Sequence, residues 1–79
     1  MNFMESLFST NISVNDKNAV YNVVFDEEKY MFLPETKDNE LPSFSFKREN
    51  DEWHDQELIS PDLKKQAVGA LENYLLAQH

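Results

Sequence analysis

The residues best suited to chemistry in this sequence are His54 and the acids around it. His54 stands within Glu52-Trp53-His54-Asp55, so it is a candidate general base. A serine partner would need a sharp presenting turn such as Gly-x-Ser-x-Gly, and the sequence contains none. The second histidine, His79, is the last residue given. We therefore interpret His54 as a solvent-facing histidine on a hairpin and predict no catalytic residue.

The acidic run from Glu49 to Glu57 suggests a calcium loop. Such a loop needs oxygen ligands at alternate positions and a glycine at its sharp turn. Here Trp53 and His54 occupy the middle of the run, and no glycine is present. The run is more typical of a solvated hairpin tip, so we expect no metal.

Glycine and cysteine usage excludes other chemistry. Gly69 is the only glycine, whereas phosphate-binding loops need several for close backbone approach. No cofactor is expected. The absence of cysteine excludes thiol nucleophiles and disulfides, and it favours a cytoplasmic protein. The first residues have no basic segment and no apolar run of membrane length, so we expect neither a signal peptide nor a membrane span.

Fifteen acidic residues against seven basic ones give a formal net charge of −8. Nucleic acids and anionic membranes attract basic surfaces, so direct binding to either is not expected. Residues 26–57 hold eleven acids and four bases. This concentration leaves open an acidic inhibitor that mimics nucleic acid and blocks a basic partner.

Apolar and polar residues alternate over 8–14 and again over 19–25, which predicts two strands. The segment 15–18 between them is rich in turn formers. Closing this hairpin with Val14 opposite Ala19 gives every residue of one face an apolar or β-branched partner.

Further strands are predicted along the chain. A turn over 26–29 pairs Phe25 with Tyr30, and Pro34 ends the third strand. An exposed loop over residues 35–42 follows, then a strand over 44–48, a turn over 49–52 and a short strand over 53–56. Pairing Arg48 with Trp53 allows a cation–π contact.

The last predicted element is a helix. Ser60 is the predicted N-cap and Pro61 the first helical residue. An apolar stripe at helical spacing predicts the face that packs on the sheet: Leu63, Ala67, Ala70, Leu71, Tyr74 and Leu75. The remaining polar positions, Lys65, Gln66, Glu72 and Asn73, are expected to face away. The helix should run to about Ala77.

These elements predict one α+β domain over residues 1–79. Its fold class is an antiparallel β-meander of four or five strands, with one C-terminal helix packed on one face. The opposite sheet face should be polar, yet its central positions are apolar. These positions form the predicted partner interface: Val20, Val24, Met31 and Leu33.

Two interpretations of that face remain open. It can bind an unknown protein partner or a second copy, or Phe3, Met4 and Leu7 can fold over it within the monomer. Trp53 is likewise either an interface anchor or a cover over its own domain. The sequence favours a non-catalytic protein-interaction or self-association domain, with the acidic inhibitor as the alternative.

Overall fold

The structure, a computed structural model, describes residues 6–36 and 40–78. In chain order its elements are β1 (Ser6–Val14), β2 (Lys17–Asp26), β3 (Lys29–Pro34), β4 (Phe44–Glu49), β5 (Glu52–Asp55) and α1 (Pro61–Ala77). The five strands form one antiparallel sheet in the order β1-β2-β3-β4-β5. The single described helix packs on one face, so the predicted α+β meander is confirmed.

Two-residue turns join β1 to β2, β2 to β3 and β4 to β5. Both residues of each turn have positive φ angles: Asn15 (51°) and Asp16 (66°), Glu27 (51°) and Glu28 (65°), Asn50 (53°) and Asp51 (65°). This conformation is the type I′ turn, whose twist matches that of the flanking strands. Asn and Asp tolerate the left-handed region better than other non-glycine residues. The Glu27-Glu28 turn is therefore the least favourable of the three.

The first hairpin has a different register from the predicted one. Val14 lies opposite Lys17 rather than Ala19, and Ala19 lies opposite Ile12. The prediction placed four residues in the loop, whereas the type I′ turn closes over residues 15–16, so that β1 ends at Val14 as predicted and β2 begins two residues earlier, at Lys17. Because side chains alternate with period two, a shift of two residues leaves the same side chains on each face.

The registers of the later hairpins are confirmed. Phe25 lies opposite Tyr30 in the second hairpin, and Arg48 lies opposite Trp53 in the third. The predicted cation–π contact is also present, with the Arg48 guanidinium carbon 5.1 Å from the Trp53 ring centroid. The predicted start of β4 is confirmed, and its end lies one residue later than predicted. Both ends of β5 lie one residue earlier than predicted.

The core lies between the helix and the sheet face that it covers. Its buried residues are Ile12, Val14, Tyr21, Val23, Phe32, Phe44, Phe46, Leu63, Ala67 and Leu71. Phe32 stacks on Phe44 with ring centroids 5.0 Å apart and meets Phe46 edge-on at 5.8 Å. The Tyr21 hydroxyl donates to the Pro42 carbonyl at 2.8 Å, which satisfies the phenol inside this core. Burial raises the pKa of Tyr21 above its usual value.

The helix begins as the sequence predicts. The Ser60 hydroxyl accepts the Leu63 N–H at 3.2 Å, and Pro61 is the first helical residue. Beside the first turn, the Lys64 ammonium lies 3.1 Å from an Asp55 carboxylate oxygen. The hydrogen bond from Lys64 holds the pKa of Asp55 below its usual value. This ion pair joins the helix start to the end of β5.

Candidate interaction surfaces

The predicted interface residues share the sheet face opposite the helix. Val20 and Val24 lie on β2, Met31 lies directly across from Val24 on β3, and Leu33 lies across from Asn22. No described helix or strand packs over this face, because the one helix covers the other side. Val20 is 41% exposed, and Met31 and Leu33 are half-buried.

Val24 differs from its three neighbours. It is 4% exposed, although it lies outside the core cluster under the helix. Val24 itself therefore offers almost no surface to a partner, and Val20 is the most accessible apolar residue of the set. Of the three residues considered as a cover, Leu7 is half-buried at an irregularity in β1. Phe3 and Met4 lie outside the described residues.

Strand β1 forms one open edge of the sheet. Because Val14 and Lys17 flank a two-residue turn, they bond to each other across the hairpin. Hydrogen-bonded and non-bonded pairs then alternate along an antiparallel ladder. The main-chain groups of Ser13, Asn11 and Ser9 consequently point away from β2. No charged residue occurs in Ser6–Val14, whereas natural sheet edges are commonly protected by charge.

A helix side chain closes one end of this edge. The Gln66 Nε2 donates to the Ser13 carbonyl at 2.9 Å, and the Gln66 Oε1 accepts the Ser13 N–H at 2.8 Å. Gln66 thus takes the two positions that a peptide of a neighbouring strand would take. The prediction that Gln66 faces away from the sheet is wrong, because this long-range pairing turns its half-buried side chain toward β1. A third bond, from Nε2 to Asp62 Oδ2 at 3.0 Å, orients the amide.

The opposite edge is short and closed differently. β5 has four residues, Glu52–Asp55, three of which are ionisable. Beyond it, the Glu57 carboxylate accepts the Ser45 N–H at 2.8 Å and lies 3.1 Å from the Ser45 hydroxyl. Ser45, which is 5% exposed, is thereby satisfied, and its carbonyl accepts the Gln56 N–H at 3.1 Å. No sequence pattern indicates this contact, because Glu57 is one of several acids in a polar segment.

Acidic residues collect at one end of the sheet. β2 and β4 run in the same direction, so the turns over 27–28 and 50–51 lie at the same end. The ring of Tyr74 stacks on Phe8 at 4.6 Å, which places the last helical turns toward that end as well. The last turn of the helix carries no basic residue. Its negative dipole therefore adds to the carboxylates of the turns.

The candidate chemical residues are not gathered into a site. His54 is exposed, with its Nε2 3.8 Å from a Glu52 oxygen. Trp53 is half-buried against the core and meets Tyr30 edge-on at 5.5 Å, as expected of a cover over its own domain. Within residues 6–36 and 40–78, no group of three or more His, Asp or Glu side chains is placed to hold a metal ion.

Comparison with known proteins adds no assignment: no family model, curated protein or solved structure matches the chain. In the part of the chain that the structure describes, no helix is both long and apolar enough to cross a membrane.

Proposed function

We propose that this chain is a non-catalytic interaction domain that binds a protein, either a different one or a second copy of itself. The observation that supports it is the sheet face opposite the helix, where Val20 is exposed, Met31 and Leu33 are half-buried, and no described helix or strand packs over them. A solvated face of an antiparallel sheet is normally polar. Apolar residues clustered there are typical of a binding surface.

The net charge of the molecule disfavours contact at its acidic surfaces. At a net charge of −8, two copies or an acidic partner repel one another, so contact is favoured at uncharged surfaces. Val20, Met31 and Leu33 provide such a surface. Asn22 lies among them, between Val20 and Val24 on β2 and across from Leu33, and the Ser9 hydroxyl donates to its side-chain oxygen at 2.7 Å. The polar atoms at this position are therefore paired and uncharged.

The test is a charge placed on this face. Val20→Lys should abolish the binding of a different protein to this face, because that protein would have to desolvate the ammonium. Asn18→Lys is the matched control, since it adds the same charge on the same face of β2 near the sheet end. The measurements are molar mass by light scattering and retention of protein from native lysate at high salt. A strictly monomeric natural chain that retains nothing contradicts the proposal. A Val20→Lys variant that retains a different protein as well as the natural chain does contradicts the placement of that protein on this face.

A second candidate is the acidic inhibitor. The placement of turns 27–28 and 50–51 at one end of the sheet favours it, because acids outnumber bases there: Asp26, Glu27, Glu28, Glu49, Asp51 and Glu52 against Lys29, Lys47 and Arg48. Such a partner would be basic, and its binding would weaken steeply with salt. Glu27→Gln with Glu28→Gln should then release a partner that Val20→Lys retains. Unchanged retention by the double variant, or retention that resists high salt, would exclude this candidate.

A further inference from the structure

The open edge of β1 presents main-chain hydrogen-bonding groups at defined positions. Its outward main-chain groups at Ser9 and Asn11 are the two peptide positions between the Gln66 contact at Ser13 and the irregularity at Leu7. Gln66 already forms the paired hydrogen bonds of a strand peptide at this edge. The edge is therefore in the right geometry to accept another strand.

We propose that a second copy of this chain pairs with β1 in antiparallel fashion, with the two-fold axis at Thr10. Ser9 of each copy then lies opposite Asn11 of the other, and their outward N–H and C=O groups form main-chain hydrogen bonds across the axis. The five-stranded sheets of the two copies then join into one sheet of ten strands. This inference rests on the self-association form of the proposed function, and it places that association at the β1 edge rather than on the Val20 face.

The ends of the edge fit this register. With the axis at Thr10, Ser13 of one copy lies opposite Leu7 of the other. The ladder between β1 and β2 is irregular between Ser6 and Phe8, and such bulges bend a strand. Because Gln66 already bonds the Ser13 main chain, the bonds between the two copies are confined to Ser9 and Asn11, the positions before the irregularity. The contact is isologous, since both copies use the same residues.

The helix surface beside the edge suits a second copy. One open depression of about 530 Å³ lies between the helix and β1, and it is lined by small and polar residues together with one acid and one base: Thr10, Asn11, Asp62, Lys65, Gln66, Gly69, Ala70 and Asn73. A Cβ on Gly69 would meet nothing within 4 Å, so the space beside it is empty in the monomer. In the paired sheet this depression faces its own counterpart across the axis. Small residues there let the two helices lie close together.

The distribution of charge also favours a second copy of this chain as the partner at β1. The nine residues of β1 carry no charge, in a chain whose net charge is −8. A basic partner would gain nothing from this strand, whereas a second acidic copy avoids repulsion by meeting there. The other edge, β5, is short and charged, which disfavours pairing.

The test uses light scattering on the full chain from micromolar to millimolar concentration. The natural chain should reach twice the monomer mass. Gly69→Lys should raise the dimer dissociation constant about tenfold or more, since two like charges meet near the axis. Asn11→Pro should do the same, because it removes an outward N–H without breaking the bonds to β2.

Two controls separate this inference from the proposed function. Gly69→Ala adds a methyl group in the same place and should leave the dimer intact. Val20→Lys changes the opposite face and should also leave it intact. A monomeric natural chain overturns the β1 pairing, even if a different protein binds at Val20. A dimer that survives Gly69→Lys and Asn11→Pro but is lost in Val20→Lys also overturns it, and moves self-association to the far face.

Discussion

The Glu27-Glu28 turn gives a stability prediction with an unusual sign. Both residues have positive φ angles, 51° and 65°, in a turn that favours Asn-Gly or Asp-Gly. The left-handed conformation costs an L-residue about 1–2 kcal/mol, whereas glycine adopts it freely. Glycine also makes the unfolded chain more flexible, which offsets about 0.4–1 kcal/mol. Glu28→Gly should therefore raise the free energy of unfolding by about 0.5–1 kcal/mol.

The assay is thermal or denaturant unfolding of the natural chain and two variants. A gain of that size corresponds to a rise of roughly 2–8 °C in Tm for a domain of this length. Glu35→Gly is the matched control: it removes the same side chain and charge at an exposed loop position without a positive φ. The control should lower Tm. If Glu28→Gly lowers Tm as much as Glu35→Gly does, strain at this turn is refuted.

Variants at three further positions test contacts that support the fold. Glu57→Ala leaves the Ser45 N–H buried without its acceptor and should lower the free energy of unfolding by about 1–3 kcal/mol, whereas Glu57→Gln keeps an acceptor oxygen and should lose less. Ser60→Ala should weaken the helix start by about 1 kcal/mol in denaturant unfolding. Because the folded-state pKa of Tyr21 is raised, its contribution is present below the unfolded pKa of about 10 and is lost as pH rises through the folded pKa. Tyr21→Phe should flatten this alkaline loss, measured as unfolding free energy against pH, and an unchanged slope would contradict it.

The elements of this fold were predictable because they depend on local patterns. Alternation predicted the strands, and the Ser60-Pro61 start predicted the helix. The first register was off by two residues, because Asn15 and Asp16 can form a two-residue turn without glycine. Turn length depends on which conformation these residues adopt, and their type alone does not decide it.

The contacts that close the sheet edges were not predictable. Gln66 and Ser13 are 53 residues apart, and Glu57 and Ser45 are 12 apart. A polar side chain on a helix or in a loop has no sequence signal for an edge partner, because its choice depends on tertiary placement. The burial of Val24 was missed for a similar reason, since alternation assigns a face but not an exposure.

We propose that uncharged surfaces of the sheet, rather than the acidic turns, bind protein. The most direct test is the amide NMR spectrum of the isotope-labelled chain at millimolar concentration in native lysate, compared with the dilute chain in buffer. We expect selective broadening or shifts at the sheet surfaces around Ser9, Asn11 and Val20, with little change at Glu27 and Asp51. Spectra that differ only by uniform broadening, or changes confined to the acidic turns, would contradict it.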